Sequence, residues 1–201
     1  MKDKTDPRII RTKLLLRNAL IDLLDEKGFE GTTIRDLMQK AGLNRGTFYL
    51  HYRDKYDLLE QSKEDMLKEI LEIVKDIDPI QIMKYAERNE PHPAFLELFD
   101  FFTLNAVFFK VLLGPKGDPA YPVQVRQIMQ KHIINKLSLL QSAHIPVPRE
   151  FIIAYLASAN LGVIQHWLEN GMQLSPQEMA LLITRMTTFG PLKTFGLKGE
   201  A

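Results

Sequence analysis

Apolar residues recur at helical spacing through almost the whole chain, and no run shows a sustained alternation of apolar and polar positions. In residues 8–27 they form a broad stripe, and Gly28 follows at the position where a helix commonly ends. The pattern therefore predicts an all-α protein whose first helix covers residues 8–27.

Two short helices are predicted next. Thr33 is a favourable N-cap for a helix in which Asp36 lies three residues on, and Gly42 ends that helix. Asn44 is a favourable N-cap for a second short helix that extends to about Tyr52. Two short helices joined by so tight a turn have the proportions of a helix-turn-helix, although a small helical subdomain without DNA contacts has the same pattern.

A long helix is predicted from the N-cap Asp54 to Ile77, where Pro79 ends or redirects it. This helix connects two predicted domains, a helix-turn-helix domain in residues 1–55 and a helical domain in residues 56–201. The remaining predicted elements are two or three helices within 79–114, a loop at 114–119, and helices over 123–141, over 150–170 and after a capping box at 175–178.

The composition narrows the class of protein. The 201 residues include no cysteine, which excludes disulfide scaffolds, thiolate zinc sites and cysteine nucleophiles and suits a reducing compartment. The N-terminus is charged and lacks the apolar core of a signal peptide. Residues 151–168 carry no formal charge, but Ser158, Asn160 and Gln165 favour a helix packed within protein over a membrane span. We therefore expect a cytoplasmic protein that does not span a membrane.

The known sequence signatures of catalysis are missing. The chain has no HExxH, GxSxG or GxxxxGK[ST] motif, and its 5 histidines are too scattered for a local metal pair. The sequence therefore predicts no enzyme activity, no metal site and no cofactor.

Positive charge is concentrated near the N-terminus. The net charge is +1, but residues 1–55 hold 12 Lys and Arg against 8 Asp and Glu. The outer face of the second short helix has polar and aromatic side chains that suit phosphates and base edges, and Arg35, Arg53 and Lys55 flank it. Leu50 on the same face either contacts a thymine methyl or packs against a neighbouring helix. Double-stranded DNA is therefore the predicted partner.

The N-terminal part of the chain also carries a family motif. Its residues are Gly28 and Phe29, Thr32 to Ile34, Ala41 and Gly42, the run RGTFYLHY at 45–52, Lys55, and Leu58 and Leu59. On these residues the chain resembles the tetracycline-repressor (TetR) family of transcriptional regulators. It departs from the usual pattern at Leu43, Asn44 and Tyr52, where apolar contact, capping and aromatic packing are nevertheless kept.

The resemblance implies two groups of DNA contacts. The contacts to the phosphate backbone are Thr33, Tyr49, Lys55 and His51. The residues that face the major groove are Asn44, Arg45, Gly46, Thr47 and Leu50. Gly46 lets the helix approach the groove closely because it has no side chain. For Tyr49 the alternative interpretation is that the ring only covers the core of the helix-turn-helix.

The C-terminal part resembles one branch of the family. Residues 105–114, the GDP run at 117–119 and the WLENG run at 167–171 are similar to the branch that contains regulators of dihydroxyacetone kinase operons. The resemblance implies a three-helix DNA-binding domain joined by the long helix to a helical bundle that binds a ligand and dimerises.

The helix predicted over 150–170 has two apolar faces. One face comprises Ile152, Tyr155, Leu156, Ala159, Val163 and Trp167. The other comprises Ile153, Ala157, Leu161, Ile164 and Leu168. Its own core can cover one face, and a second subunit can cover the other in a four-helix interface with the last helix. The alternative is burial of both faces within one chain.

Aromatic residues at helical spacing are candidates for an effector cavity. The candidate lining residues are Phe99, Phe102, Phe109 and Tyr155, with Phe95 and Phe108 nearby in sequence. Plain core packing is the alternative for each, since a binding site also needs a few convergent polar groups. His132 and His166 are the candidate polar groups, and a hydrogen-bonded or partly exposed histidine is the alternative for both.

These patterns together predict a DNA-binding regulator of transcription. We expect a homodimeric, effector-responsive repressor that binds a palindromic operator. One alternative is an activator that depends on a ligand or a protein partner, and another is a helical adaptor that binds protein. A small molecule of unknown identity is the expected effector.

Overall fold

The computed structural model describes residues 6–114, 117–137, 148–194 and 196. In these ranges the chain folds into ten α-helices, which confirms the predicted all-α class. The helices are α1 Pro7–Lys27, α2 Ile34–Ala41, α3 Arg45–Tyr49, α4 Lys55–Val74, α5 Pro79–Glu87, α6 Pro93–Leu104, α7 Ala106–Leu113, α8 Ala120–Leu137, α9 Arg149–Glu169 and α10 Pro176–Thr194.

The N-terminal helices begin at the residues that the capping pattern predicts. The Thr33 hydroxyl accepts a hydrogen bond from the backbone N–H of Asp36, whose carboxylate accepts one from the backbone N–H of Thr33. Asp54 caps α4 in the same way by accepting from the backbone N–H of Asp57. Gly42 ends α2 with φ +65°, a conformation that favours glycine. Local chemistry therefore sets the positions of the turn and of α3.

A small apolar core holds the first four helices together. Its residues without exposed surface are Leu16, Leu20, Leu37, Phe48 and Leu58. Phe48 is the one residue of α3 in this core, and its ring packs edge-on against Tyr49 at 5.4 Å between centroids. The remaining residues of α3 therefore lie on its outer side.

The C-terminal helices form a bundle around an aromatic cluster. The helix α10 packs on α5 and α6, whereas α9 packs on α7 and α8. The ring of Phe102 meets Phe109 edge-on at 4.8 Å, and the ring of Phe99 meets Trp167 at 5.3 Å. The predicted span of α8 extends to residue 141, and its end lies outside the described residues, as do residues 115 and 116 of the predicted loop.

The helix α4 connects the two regions. Leu58 and Leu59 in its first turns are buried against the N-terminal helices, and Met66 and Val74 are buried farther along. The helix ends at Val74, one turn before the predicted end at Ile77. The predicted domain boundary between residues 55 and 56 falls in the first turn of α4.

The helix α9 buries the second of its two predicted apolar faces and leaves much of its surface open. Ile153, Ala157, Leu161, Ile164 and Leu168 are buried. Trp167, predicted on the first face, is buried as well, and its indole N–H donates to the Leu174 carbonyl at 2.9 Å. Among the described helices, α9 is long and apolar enough to cross a membrane by length and composition alone.

Candidate nucleic-acid interface and effector cavity

The outer side of α3 presents polar and aromatic groups to solvent. Tyr49 is 48% exposed and Leu50 is 80% exposed, so the contact of Leu50 with a neighbouring helix is minor. Asn44, Arg45 and Gly46 are exposed too, and Thr47 and His51 are half-buried. The chain therefore brings the predicted groove-facing residues together on one surface.

The first turn of α3 is held by two hydrogen bonds to one side chain. The Asn44 Oδ1 atom accepts from the Thr47 backbone N–H at 2.8 Å and from the Thr47 hydroxyl at 3.0 Å. The cap fixes both side chains against each other before any DNA is bound. The two predicted base contacts are thus preorganised as a pair.

Arg45 and Tyr49 form a second pair one turn apart. The Arg45 Nη2 atom donates to the Tyr49 hydroxyl at 3.2 Å, and the guanidinium carbon lies 5.6 Å from the centre of the tyrosine ring. Between the two pairs lies Gly46, at which an added Cβ would meet only the Asn44 Oδ1 atom, at 3.3 Å. That contact is tight and Asn44 Oδ1 is held by the two hydrogen bonds of the cap, so glycine at this position also spares the cap a steric conflict.

Lys55 and Thr33 are engaged within the chain. The Lys55 ammonium donates to the carbonyl oxygens of Phe29 at 2.8 Å and Thr32 at 3.1 Å. The Thr33 hydroxyl donates to the Asp36 carboxylate at 2.7 Å. A hydrogen bond from Lys27, together with those from Thr33, holds the pKa of Asp36 well below its usual range. Lys55 and Thr33 therefore both stabilise the folded domain.

Two polar contacts that the sequence pattern did not reveal tie α4 to other helices. Lys63 is 2% exposed, and its ammonium contacts the carboxylates of Glu60 at 2.8 Å and Asp118 at 2.9 Å. The Arg17 guanidinium donates to the Met66 sulfur at 2.9 Å and to the Asn105 side chain at 3.4 Å. The sequence signal for the contact of Lys63 was its own position, since a lysine within the apolar stripe of α4 needs a charged partner.

An apolar cavity of about 190 Å³ lies between α4 and the C-terminal helices. Three of the four candidate effector-pocket residues, Phe99, Phe102 and Phe109, line it. The placement of Tyr155 was wrong, because its ring is 51% exposed and does not line this cavity. Tyr155 lies on α9 on the side away from the buried face, since its buried neighbours Ile153 and Ala157 each stand two residues away.

One of the two predicted polar groups faces the cavity. His132 lines it, whereas His166 is exposed at the end of α9 beside Asn170. Burial lowers the pKa of His132, and the nearby Lys136 lowers it further. In the described part of the chain no group of three or more His, Cys, Asp or Glu side chains is arranged to hold a metal ion.

The helix-turn-helix and the exposed polar face of α3 are features of DNA-binding domains of transcriptional regulators. Two family models match it: "Bacterial regulatory proteins, tetR family" over residues 16–62, and "Transcriptional regulator C-terminal region" over residues 89–189. The chain belongs to the tetR family of bacterial regulatory proteins. The resemblance predicted from the motif is thereby confirmed.

Similar proteins extend the match beyond the N-terminal domain. The uncharacterized HTH-type transcriptional regulator YxbF of Bacillus subtilis (strain 168) is 24% identical over 172 residues, 82% of this chain but only 42% of YxbF. The chain therefore spans less than half the length of that relative. The HTH-type dhaKLM operon transcriptional activator DhaS of Lactococcus lactis subsp. lactis (strain IL1403) is 22% identical over 185 residues, 90% of this chain and 93% of DhaS.

A solved structure has the same fold. The crystal structure of a TetR transcriptional regulator from Streptococcus agalactiae 2603V is 22% identical, covers 90% of this chain and 96% of that chain, and has a TM-score of 0.60. The similarity to DhaS confirms the predicted resemblance to the branch that contains regulators of dihydroxyacetone kinase operons.

Proposed function

We propose that the protein is an effector-responsive repressor that binds a palindromic operator as a cytoplasmic homodimer. The observation that carries the proposal is the outer side of α3. This one surface holds the side chains of Asn44, Arg45, Thr47, Tyr49 and Leu50. A surface of this composition suits base edges and phosphates in a major groove. No catalytic step is part of this function.

The proposed contacts divide into two groups. Arg45 and Thr47 read base edges in the major groove together with Asn44, and Leu50 contacts a thymine methyl. Tyr49 binds a phosphate, and Thr33, His51 and Lys55 are backbone contacts at the edge of the same surface. Gly46 lets α3 approach the DNA without a steric conflict.

Dimer formation would cover the open face of α9. An 18-residue window of this helix has a mean hydropathy of 1.3, yet only 33% of the window is buried within the chain. Phe151 and Tyr155 are 69% and 51% exposed on it. An apolar surface of this kind supports a protein interface, and a twofold dimer would place two copies of α3 in successive major grooves about 34 Å apart.

The helix α4 supports a coupling between effector and operator. Its residues Leu67, Ile70 and Val74 line the cavity, and Leu58 of the same helix is buried in the N-terminal core. A small molecule in the cavity would therefore bear directly on the helix that carries the DNA-binding domain. Such an effector changes operator affinity only if it binds two conformations of the protein, which differ in the position of α4, with different affinities.

The similarity to DhaS favours an activator as a second candidate. DhaS is described as a transcriptional activator, and it aligns with 90% of this chain. Both candidates need the same DNA surface. They differ in where the operator lies relative to the promoter, which a reporter assay with the mapped operator distinguishes.

The test is binding of the purified chain to the DNA upstream of its own gene, titrated with salt against an unrelated duplex of equal length. We expect a preference for the upstream DNA, and a log-log dependence of affinity on salt with a slope of about −0.9 for each phosphate contacted. Equal and weak binding to both duplexes would place the operator elsewhere or require the effector. Absence of binding to both at low salt would contradict the proposal and favour the adaptor.

A further inference from the structure

The cavity between α4 and the C-terminal helices is lined mainly by apolar side chains, and its polar lining residues are His132, Lys136, Asn160 and Thr187. The Nε2 atom of His132 and the hydroxyl of Thr187 are buried and have no hydrogen-bond partner. Both side chains line the cavity, on α8 and α10 respectively. Most buried polar atoms in folded proteins have partners, because an unsatisfied one loses its hydration without compensation. Two such atoms in one cavity point to a ligand that supplies the partners.

The hydrogen-bonding state of His132 fixes what that ligand must donate. The imidazole forms a hydrogen bond with the backbone of Val74, and burial lowers the pKa of the ring. A neutral ring that donates from one nitrogen to a carbonyl leaves the other nitrogen as an acceptor. The Nε2 atom therefore needs a donor, whereas the Thr187 hydroxyl can donate or accept.

The charge of the wall argues for a neutral ligand. Among the described residues that line the cavity, Lys136 carries the one permanent charge, and its ammonium donates to the backbone carbonyl of Lys75. No carboxylate is in the described lining. A cationic ligand would therefore leave water with no opposite charge to receive it, and an anionic ligand would meet only an ammonium that is already hydrogen-bonded to a carbonyl; both are costly in an apolar site.

The size and shape of the cavity limit the hydrocarbon body of the ligand. An engineered apolar cavity of roughly 150 Å³ binds benzene, so about 190 Å³ admits a somewhat larger molecule. Four phenylalanines, Phe95, Phe99, Phe102 and Phe109, contribute to the wall. Their rings suit an aromatic ligand, which packs edge-on against them.

We propose that the effector is a neutral, hydroxylated hydrocarbon whose hydroxyl group donates to His132 Nε2, with Thr187 as the second polar contact. That this ligand is an effector rests on the proposed function. The chemical class of the ligand follows from the cavity alone. Hydroxyl is the simplest neutral group that can both donate to the histidine and accept from the threonine.

Three probes of nearly equal shape test the assignment on the full-length protein. They are para-cresol, para-xylene, which has a methyl in place of the hydroxyl, and para-toluate, which has a carboxylate. We expect para-cresol to bind roughly three- to tenfold more tightly than para-xylene, the range of one net hydrogen bond, and para-toluate to bind most weakly. Calorimetry and the shift of the Tm measure the three affinities.

Variants connect the preference to the two side chains. His132→Phe should abolish the preference for para-cresol over para-xylene while keeping an apolar cavity. Thr187→Val should reduce the preference for para-cresol over para-xylene. This variant provides the same test if His132→Phe does not fold. Thr188→Val is the matched control, because its hydroxyl donates to the Thr184 carbonyl and it does not line the cavity.

Equal binding of para-cresol and para-xylene by the unchanged protein would overturn the inference, and so would tighter binding of para-toluate or failure of all three probes to bind. Operator binding is measured on the same preparations without ligand. If it is intact while the para-cresol preference is missing, the ligand class alone is wrong. If the preference is present while DNA is not bound under any salt condition, the proposed function is wrong and the ligand class stands.

Discussion

Lys55 lies at the start of α4, where its ammonium donates to the carbonyl oxygens of Phe29 and Thr32. We expect Lys55→Met to lower the free energy of unfolding by about 1–3 kcal/mol, because buried carbonyls lose a charged donor. Arg35→Met removes an exposed cation from the same domain and should change stability by less than about 0.5 kcal/mol. Urea unfolding measures both. A Lys55→Met variant of unchanged stability and weakened DNA binding would show that the ammonium serves phosphate alone.

Arg45 and Tyr49 are predicted to have different tasks although they touch. Tyr49→Phe should weaken binding to operator and to unrelated DNA by a similar factor, whereas Arg45→Ala should change the preferred sequence at a cost of about 1–3 kcal/mol. Because the Arg45 guanidinium donates to the Tyr49 hydroxyl, we expect the two effects to be non-additive in the double variant. Binding to a panel of operator variants separates the roles. Uniform loss from both single variants would contradict the division into base and phosphate contacts.

Residues whose task depends on their neighbours in sequence were predictable. The caps Thr33, Asn44 and Asp54 are examples, since a cap bonds a backbone N–H within the next turn. The partners of Lys63 and the exposure of Tyr155 were not, because they depend on helices distant in sequence. The DNA contacts remain predictions, although the exposed side of α3 is where they were expected.

At the scale of the helices, beginnings were predicted better than ends. The helix α3 stops at Tyr49 and α4 at Val74, each about one turn before the predicted end. Neither end carries a glycine, and the apolar periodicity continues past it; for α4 the stop signal in the sequence, Pro79, lies beyond the observed end. The aromatic residues of the cavity and His132 were candidates from the sequence, but Thr187 and the missing partners of both polar groups could be recognised only in the folded chain.

The contact between α4 and the start of α8 makes a prediction about acid stability. A hydrogen bond from buried Lys63 lowers the pKa of the Asp118 carboxyl. Because the pKa of Asp118 is lower in the folded than in the unfolded state, the ion pair contributes its full stability above the unfolded pKa of about 4. That stability is lost as the pH falls through the lower pKa of the folded state. Asp118→Asn should therefore cost about 1 kcal/mol at pH 7 and 5, a modest figure because the carboxylate is 38% exposed.

Below pH 4 the difference between Asp118→Asn and the unchanged chain should shrink. Urea unfolding at three pH values measures it, and Glu64→Gln, in an exposed pair with Lys68, is the control with little expected effect. A difference that stays constant down to pH 3 would mean that the charge of Asp118 is not its source. Because the pair joins α4 to a cavity-lining helix, the same variant should also alter the effect of a bound effector on operator affinity.

At the scale of the whole molecule, the open face of α9 and the operator-binding surface belong to one argument. Each α3 contains few contact residues, so high affinity needs two copies in successive grooves. The exposed residues Phe151 and Tyr155 are the apolar groups available on α9 to hold two chains together. DNA affinity should therefore depend on residues far from DNA.

Tyr155→Glu tests this dependence, since it places a charge in the proposed apolar interface. We expect a shift from dimer to monomer in analytical ultracentrifugation and a loss of operator affinity of tenfold or more, with the fold unchanged by circular dichroism. Leu104→Glu is the matched control, because Leu104 is 84% exposed on α6 rather than on α9. If Tyr155→Glu stayed dimeric, another surface would join the subunits. If it became monomeric yet bound the operator as tightly as before, a single α3 would suffice, and the palindromic arrangement would lose its physical reason.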